Sequence, residues 1–199
     1  MQPAVNDTRE ALVEIARKLF SERGFYGVSV AAIASELGIT KQALLHYFGT
    51  KEALYAEVLS RMSGVYTATL KAALEAPLPP EEKVEAFFLG FCAHALEMPG
   101  DVRLIMRELL DNKERAGTAG RWYLREFLND LAGLMASTRR WQEASEAETR
   151  AAAYQLLGAI SYFAISEPTL ERIFGEDGLQ EMREVYPAIL RETIRSQQM

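Results

Sequence analysis

The sequence predicts an all-α protein: an N-terminal three-helix helix-turn-helix unit followed by a larger helical unit. Three observations carry that expectation. Apolar residues recur at helical spacing along the chain, and no alternating, strand-like run competes with them. Ser29, Thr40 and Thr50 each stand where an N-cap would open an apolar helical pattern. Two of these capped segments meet across only Gly38-Ile39-Thr40, the length and chemistry of a helix-turn-helix turn.

The first helix is expected over about 8–23, with Leu12, Ile15, Ala16, Leu19 and Phe20 as its apolar stripe. Asp7 and Glu10 have the spacing of an N-cap and its capping-box partner, and Gly24-Phe25 reads as a left-handed C-cap with a hydrophobic follower. Ser29 caps the second helix, which turns Val30, Ile33, Ala34 and Leu37 inward and stops at Gly38. Val28 and Ile33 can form a hydrophobic staple across that cap. The pattern then repeats: Ile39 precedes the cap Thr40, and Leu44 and Phe48 follow on one side. Gly49-Thr50 breaks the third helix, and a long fourth one runs through Leu54, Val58 and Met62 until Pro77-Leu78-Pro79-Pro80. Further amphipathic stretches cover about 81–97, 101–111, 120–139, 145–166 and 178–196. Pro99-Gly100, Gly117 to Gly120 and Pro168 are read as separators. The expected division is 1–54 for the helix-turn-helix unit and 55–199 for the helical unit behind it.

With 199 residues, one or two domains are expected. No segment approaches the roughly 18 uninterrupted apolar residues of a membrane span, and Met1 to Glu10 lack the apolar core of a signal peptide. The lone Cys92 excludes an internal disulfide framework and reads as a small core hydrophobe. A cytoplasmic protein is expected. His46 and His94 show no zinc spacing, and there is no glycine-rich phosphate loop or nucleophile elbow. No catalytic residue, cofactor or metal is therefore expected. The net charge of −6 argues at first against a nucleic-acid partner. Yet residues 1–61 balance seven basic against seven acidic residues, so all of the excess lies further along.

The stretch from Gly24-Phe25-Tyr26-Gly27-Val28-Ser29-Val30 through Gly38-Ile39-Thr40-Lys41-Gln42-Ala43-Leu44-Leu45-His46-Tyr47-Phe48 to Lys51-Glu52-Ala53-Leu54 closely resembles the DNA-binding signature of the TetR/AcrR family. The resemblance covers roughly residues 8–58. It implies a transcriptional regulator whose third helix enters the major groove of double-stranded DNA. At 100° per residue, Leu44 and Phe48 mark the buried side of that helix. Gln42, Ala43 and His46 then face outward, with Lys41 and Leu45 on one flank and Tyr47 on the other. Gln42 can read an adenine edge, and Ala43 and Leu45 can touch a thymine methyl. The family's pattern places phosphate or base contacts at Lys41, Tyr47 and Lys51. Ser29 and Thr40 sit at helix N-termini, which suit phosphate. Leu45 stands where many family members carry an aromatic residue.

TetR-like proteins usually pair through their last two long helices, here about 145–166 and 178–196. Ala152, Leu156, Ala159, Ile160 and Phe163 recur at helical spacing, and the stripe either packs within its own subunit or is shared with a second one. A small-molecule effector is expected among the middle helices, with Phe87, Phe91, His94, Met106, Arg107, Trp122, Tyr123 and Phe127 as candidate contacts. Arg107 or His94 would orient a polar group, or Arg107 would pair with Glu108 or Asp111. The resemblance thus implies a homodimeric repressor released from a palindromic operator by a ligand. An activator, or a regulator controlled by a protein partner, is the alternative.

Overall fold

A computed structural model describes residues 5–111 and 124–197, and among these every regular element is a helix. They are α1 (Val5–Arg23), α2 (Val30–Glu36), α3 (Lys41–Phe48), α4 (Lys51–Glu75), α5 (Pro80–Glu97), α6 (Pro99–Asp111), α7 (Leu124–Ala136) and α8 (Glu146–Ser196). Expectations for Gly117 to Gly120, Trp122 and Tyr123 lie outside the described residues, as does the side chain of Asp111.

Three boundaries differ from those read in the sequence. Helix α1 begins at Val5, so Asp7 lies inside its first turn, where a carboxylate suits the positive end of the helix dipole. Glu10 closes no capping box; it accepts a 2.9 Å hydrogen bond from Arg61 of α4 instead. A tertiary ion pair has replaced the local motif. Helices α5 and α6 are separated next to Pro99-Gly100 as expected, but the break falls at Met98 and the pair itself opens α6, as proline tolerates a first turn that needs no N–H.

The third difference is in α8. Pro168 and Pro187 both lie within helical backbone, and the break falls at Gly175, whose φ of 79° and ψ of 171° suit only glycine. Phe163 stacks on Tyr186 with ring centroids 4.0 Å apart, and Arg183 donates to Glu167 at 2.8 Å. Both pairs are centred on Gly175, so the two segments run antiparallel as a hairpin. Packing across that hairpin overrides the weak stop at Pro168.

Two buried clusters result. The first joins Leu12, Ala16 and Phe20 of α1 to Ile33, Leu44, Leu54 and Val58. The second joins Tyr66 of α4 to Phe87, Phe88, Leu131, Leu156 and Ile160, and Cys92 is buried within it. Helix α4 serves both, through Leu54 to Met62 in the first and Tyr66 to Ala73 in the second. Helix α6 also serves both: Leu104 belongs to the first cluster and Val102 to the second.

Candidate nucleic-acid interface

The orientation of α3 follows from the turn before it. Gly38 has φ +71°, and its N–H donates to the Ser35 carbonyl at 3.0 Å while that of Ile39 reaches the Ala34 carbonyl at 3.0 Å. This is a Schellman closure, which a β-carbon at Gly38 would strain. Thr40 Oγ1 then accepts from the Ala43 N–H at 3.1 Å, and Ser29 and Thr50 cap α2 and α4 likewise, each at 3.0 Å. Both Ser29 and Thr40 are exposed, with their hydroxyls engaged in these caps.

Leu44 is fully buried, and Phe48 packs on the same core beneath the Arg9 guanidinium, 5.0 Å from its ring centroid. Arg9 also donates to Glu57 of α4 at 3.0 Å, so one side chain ties α1, α3 and α4 together. The opposite face of α3 presents Lys41, Gln42 and His46 to solvent, with Ala43, Leu45 and Tyr47 half-buried beside them. The outward and flanking positions expected from helical geometry are thus brought onto one face.

Charge is distributed unevenly on this unit. Arg9, Arg17 and Arg61 all face carboxylates. The hydrogen bond from Arg9, opposed by burial and helped by Arg61, holds the Glu57 carboxyl below its usual range. Lys41 and Lys51, at the N-termini of α3 and α4, form no ion pair among the described residues. Lys51 Nζ lies 4.2 Å from the centroid of Phe25, and partial burial draws its pKa down. Tyr26, not singled out from the sequence, is 80% exposed in the turn ahead of α2. Its neighbour Phe25 packs inward.

Among the candidate ligand contacts, Phe91, Met106 and Phe127 line a cavity of about 140 Å3 walled by α4 to α8. Phe87 is fully buried in the core instead. His94 lies off the wall, edge-on to Tyr66 and 3.4 Å from Asp101. Arg107 donates to the Glu22 carbonyl at 3.3 Å and so reaches α1, not the cavity. Glu108, considered as its surface partner, accepts from the Tyr55 hydroxyl at 2.9 Å. Tyr66, Leu157 and Ser161 line the cavity without having been expected there. They come from α4 and α8, whose periodicity marks them as core and carries no sign of a void.

These contacts make α6 the joint between the two clusters. Its Asp101 receives Arg17 of α1 at 2.9 Å, while Ile105, Met106 and Leu109 on the same helix face the cavity. The stripe expected on α8 divides in two. Ala152, Leu156, Ile160 and Phe163 are buried within their own subunit, whereas Gly158 and Ala159 are exposed. Tyr154, Tyr162, Val185 and Ile189 are exposed on the same hairpin. A helix apolar nearly all round has one side filled by its own core and another left open.

Residues 12–58 match the model of a family described as bacterial regulatory proteins, tetR family. The chain is 24% identical over 172 residues to the HTH-type transcriptional regulator RutR of Escherichia coli O157:H7, covering 86% of this chain and 81% of RutR. It is 31% identical over 86 residues to the HTH-type transcriptional repressor KstR2 of Mycobacterium tuberculosis, covering 43% of each. The fold resembles the solved structure of KstR2, with a TM-score of 0.71 at 18% identity over 96% of both chains. It also resembles the fatty acid degradation regulator FadR of Bacillus halodurans, with a TM-score of 0.70 at 16% identity, covering 96% of this chain and 97% of that one.

Proposed function

We propose that the chain is a DNA-binding transcriptional regulator of the tetR family, as the match of residues 12–58 and the likeness to RutR support, and that it is a homodimeric repressor released by a small ligand. Residues 1–54 are its DNA-binding unit, and residues 55–199 dimerise and bind the effector. Helix α3 enters the major groove, where Gln42 reads an adenine edge and Ala43 and Leu45 meet thymine methyls. His46 lies beside them on the reading face. Lys41, Tyr47 and Lys51, with the helix starts at Ser29 and Thr40, hold the phosphate backbone.

The observation that carries this reading is the exposed edge of α3, with Gln42 and His46 outward, set on a base of buried Leu44 and clamped Phe48. A polar helix face held rigidly by core packing is what base reading requires, since each contact is worth ~1–3 kcal/mol only when well placed. Dimers form through the open face of the α8 hairpin and hold two copies of α3 about 34–36 Å apart, or a multiple of that, over a palindromic operator. Repression is the activity in the name of KstR2, one of the relatives. A ligand in the cavity acts through α6, whose other side grips α1, and it favours a spacing of the reading helices that DNA does not fit.

Selection of bound sequences from random DNA by the purified protein tests the reading. Enrichment of an inverted repeat is expected, and enrichment of a single unrepeated site would sink the symmetric dimer. Gln42→Ala should relax preference at one or two positions per half-site by ~1–3 kcal/mol each while non-specific binding survives. Equal loss of specific and non-specific affinity would make Gln42 a positioning residue.

A further inference from the structure

The cavity among α4 to α8 says more about its occupant than its position does. Its volume of about 140 Å3 is close to the ~150 Å3 in which an engineered apolar cavity holds benzene. No charged side chain lines it among the described residues; Phe91, Ile105, Met106, Phe127 and Leu157 make most of the wall. Two hydroxyls interrupt that apolar surface, Tyr66 at 4% exposure and Ser161 at 8%. Neither makes a hydrogen bond among the described residues. Neither oxygen is among the sealed polar atoms left without a partner, so each keeps accessible surface, where water hydrates it until a ligand takes that place. Two of them opening into one small apolar space mark where a ligand's polar atom would sit.

We propose that the cavity takes a compact, uncharged molecule of about one six-membered ring, carrying a single oxygen that hydrogen-bonds to Tyr66 and Ser161. The proposal rests on reading the larger unit as effector-binding and supplies the chemical class of that effector. A carboxylate would enter a wall in which no cation stands among the described residues, and burying it there is far costlier than burying a neutral hydroxyl or carbonyl. Arg107, the cation on α6 that sequence reasoning placed at the ligand, is engaged with the Glu22 carbonyl of α1. The Asp101 carboxylate, near the His94 ring that lies edge-on to Tyr66, is answered by Arg17 at 2.9 Å.

Calorimetric titration of the full-length protein, without DNA, with 4-methylphenol, toluene and benzoate tests the proposal. 4-Methylphenol should bind roughly 5-fold more tightly than toluene, the worth of one net hydrogen bond. Benzoate should bind at least ~100-fold more weakly than either. In the double variant Tyr66→Phe with Ser161→Ala, 4-methylphenol should fall below toluene, its hydroxyl now desolvated without a partner, while toluene binding persists, which also reports an intact cavity. Benzoate binding as tightly as 4-methylphenol, or no binding of either neutral ring, overturns the proposal whether or not the double variant folds. A double variant that binds toluene yet keeps the preference for 4-methylphenol also overturns it. DNA binding measured in parallel separates the two readings. If 4-methylphenol binds without weakening the DNA complex, the ligand class stands and release by this occupant fails. If neither ring binds while the selected operator is still held, the ligand class fails alone.

Discussion

In the first cluster Leu12, Phe20, Ile33, Leu44, Leu54 and Leu104 are all fully buried, and each of the three breaks between α1, α2, α3 and α4 is closed by a capping side chain. The second cluster buries Phe87, Phe88, Leu131 and Ile160 as completely. Yet it lines a cavity, leaves the Tyr66 and Ser161 hydroxyls without a hydrogen bond among the described residues and presents Tyr154, Tyr162, Val185 and Ile189 to solvent on α8. One unit is filled by its own residues; the other, among the described residues, keeps a cavity and an open apolar face. A reading helix must keep one geometry, and close packing with capped ends enforces that. A sensing unit must be able to change, and an under-filled core with an open face has somewhere to move.

The largest expected effect tests the open face. Ala159 is exposed on α8 and Ile160 beside it is fully buried. Ala159→Glu should leave the subunit helical but place an unpaired charge in the proposed interface. Monomers should result, with operator affinity lower by ~100-fold or more once the second module no longer adds its effective concentration. Sedimentation, circular dichroism and DNA binding on one sample check this. A folded variant that stays dimeric would move the interface, and a monomer with full affinity would remove the contrast between the units.

Packing is the next comparison. Leu44→Ala in the first cluster should cost ~2–5 kcal/mol in denaturant unfolding. Met106→Ala, half-buried on the cavity wall, should cost less than half as much, because it enlarges a void already present. Equal costs would show that the second unit is as tightly packed as the first.

A smaller effect separates positioning from reading. Lys51→Ala should weaken binding to all sequences alike and reduce the slope of log affinity against log salt by about 1. An unchanged slope would mean that the Lys51 charge serves only its contact with Phe25.

The smallest concerns the clamp around Glu57. Its carboxyl titrates below the ordinary value of 4.5 because Arg9 and then Arg61 bond to the charged form. The clamp therefore adds stability above the ordinary carboxylate range and loses it as the pH falls through the lowered value. Melting temperature should drop between about pH 5 and pH 3 more steeply in the wild type than in Glu57→Gln. Parallel curves would show that exposure screens the pair completely.

The legibility of the sequence followed the same boundary between units. In the first unit the informative residues are local: Ser29, Thr40 and Thr50 cap within three residues, and Gly38 closes a turn with carbonyls only three and five positions back. Where a long-range partner competed, the local reading failed, as when Glu10 took Arg61 in place of its own helix start. In the second unit most of the decisive contacts are distant. Arg107 was read against its sequence neighbours and instead meets a carbonyl 85 positions away. Pro168 was read as a stop, and the turn came at Gly175 because Phe163 and Tyr186 stack across it.

Helical periodicity, caps and the left-handed glycine were enough to specify an all-α chain and the outward edge of α3, since these depend on residues within one or two turns of each other. The void beside Tyr66 and Ser161, the engagement of Arg107 by α1 and the division of α8 into an inner and an outer face came from tertiary packing alone. A helix of apolar residues can satisfy several neighbours equally well, and only the placement of all of them decides which side is filled, which is left open and where a gap remains.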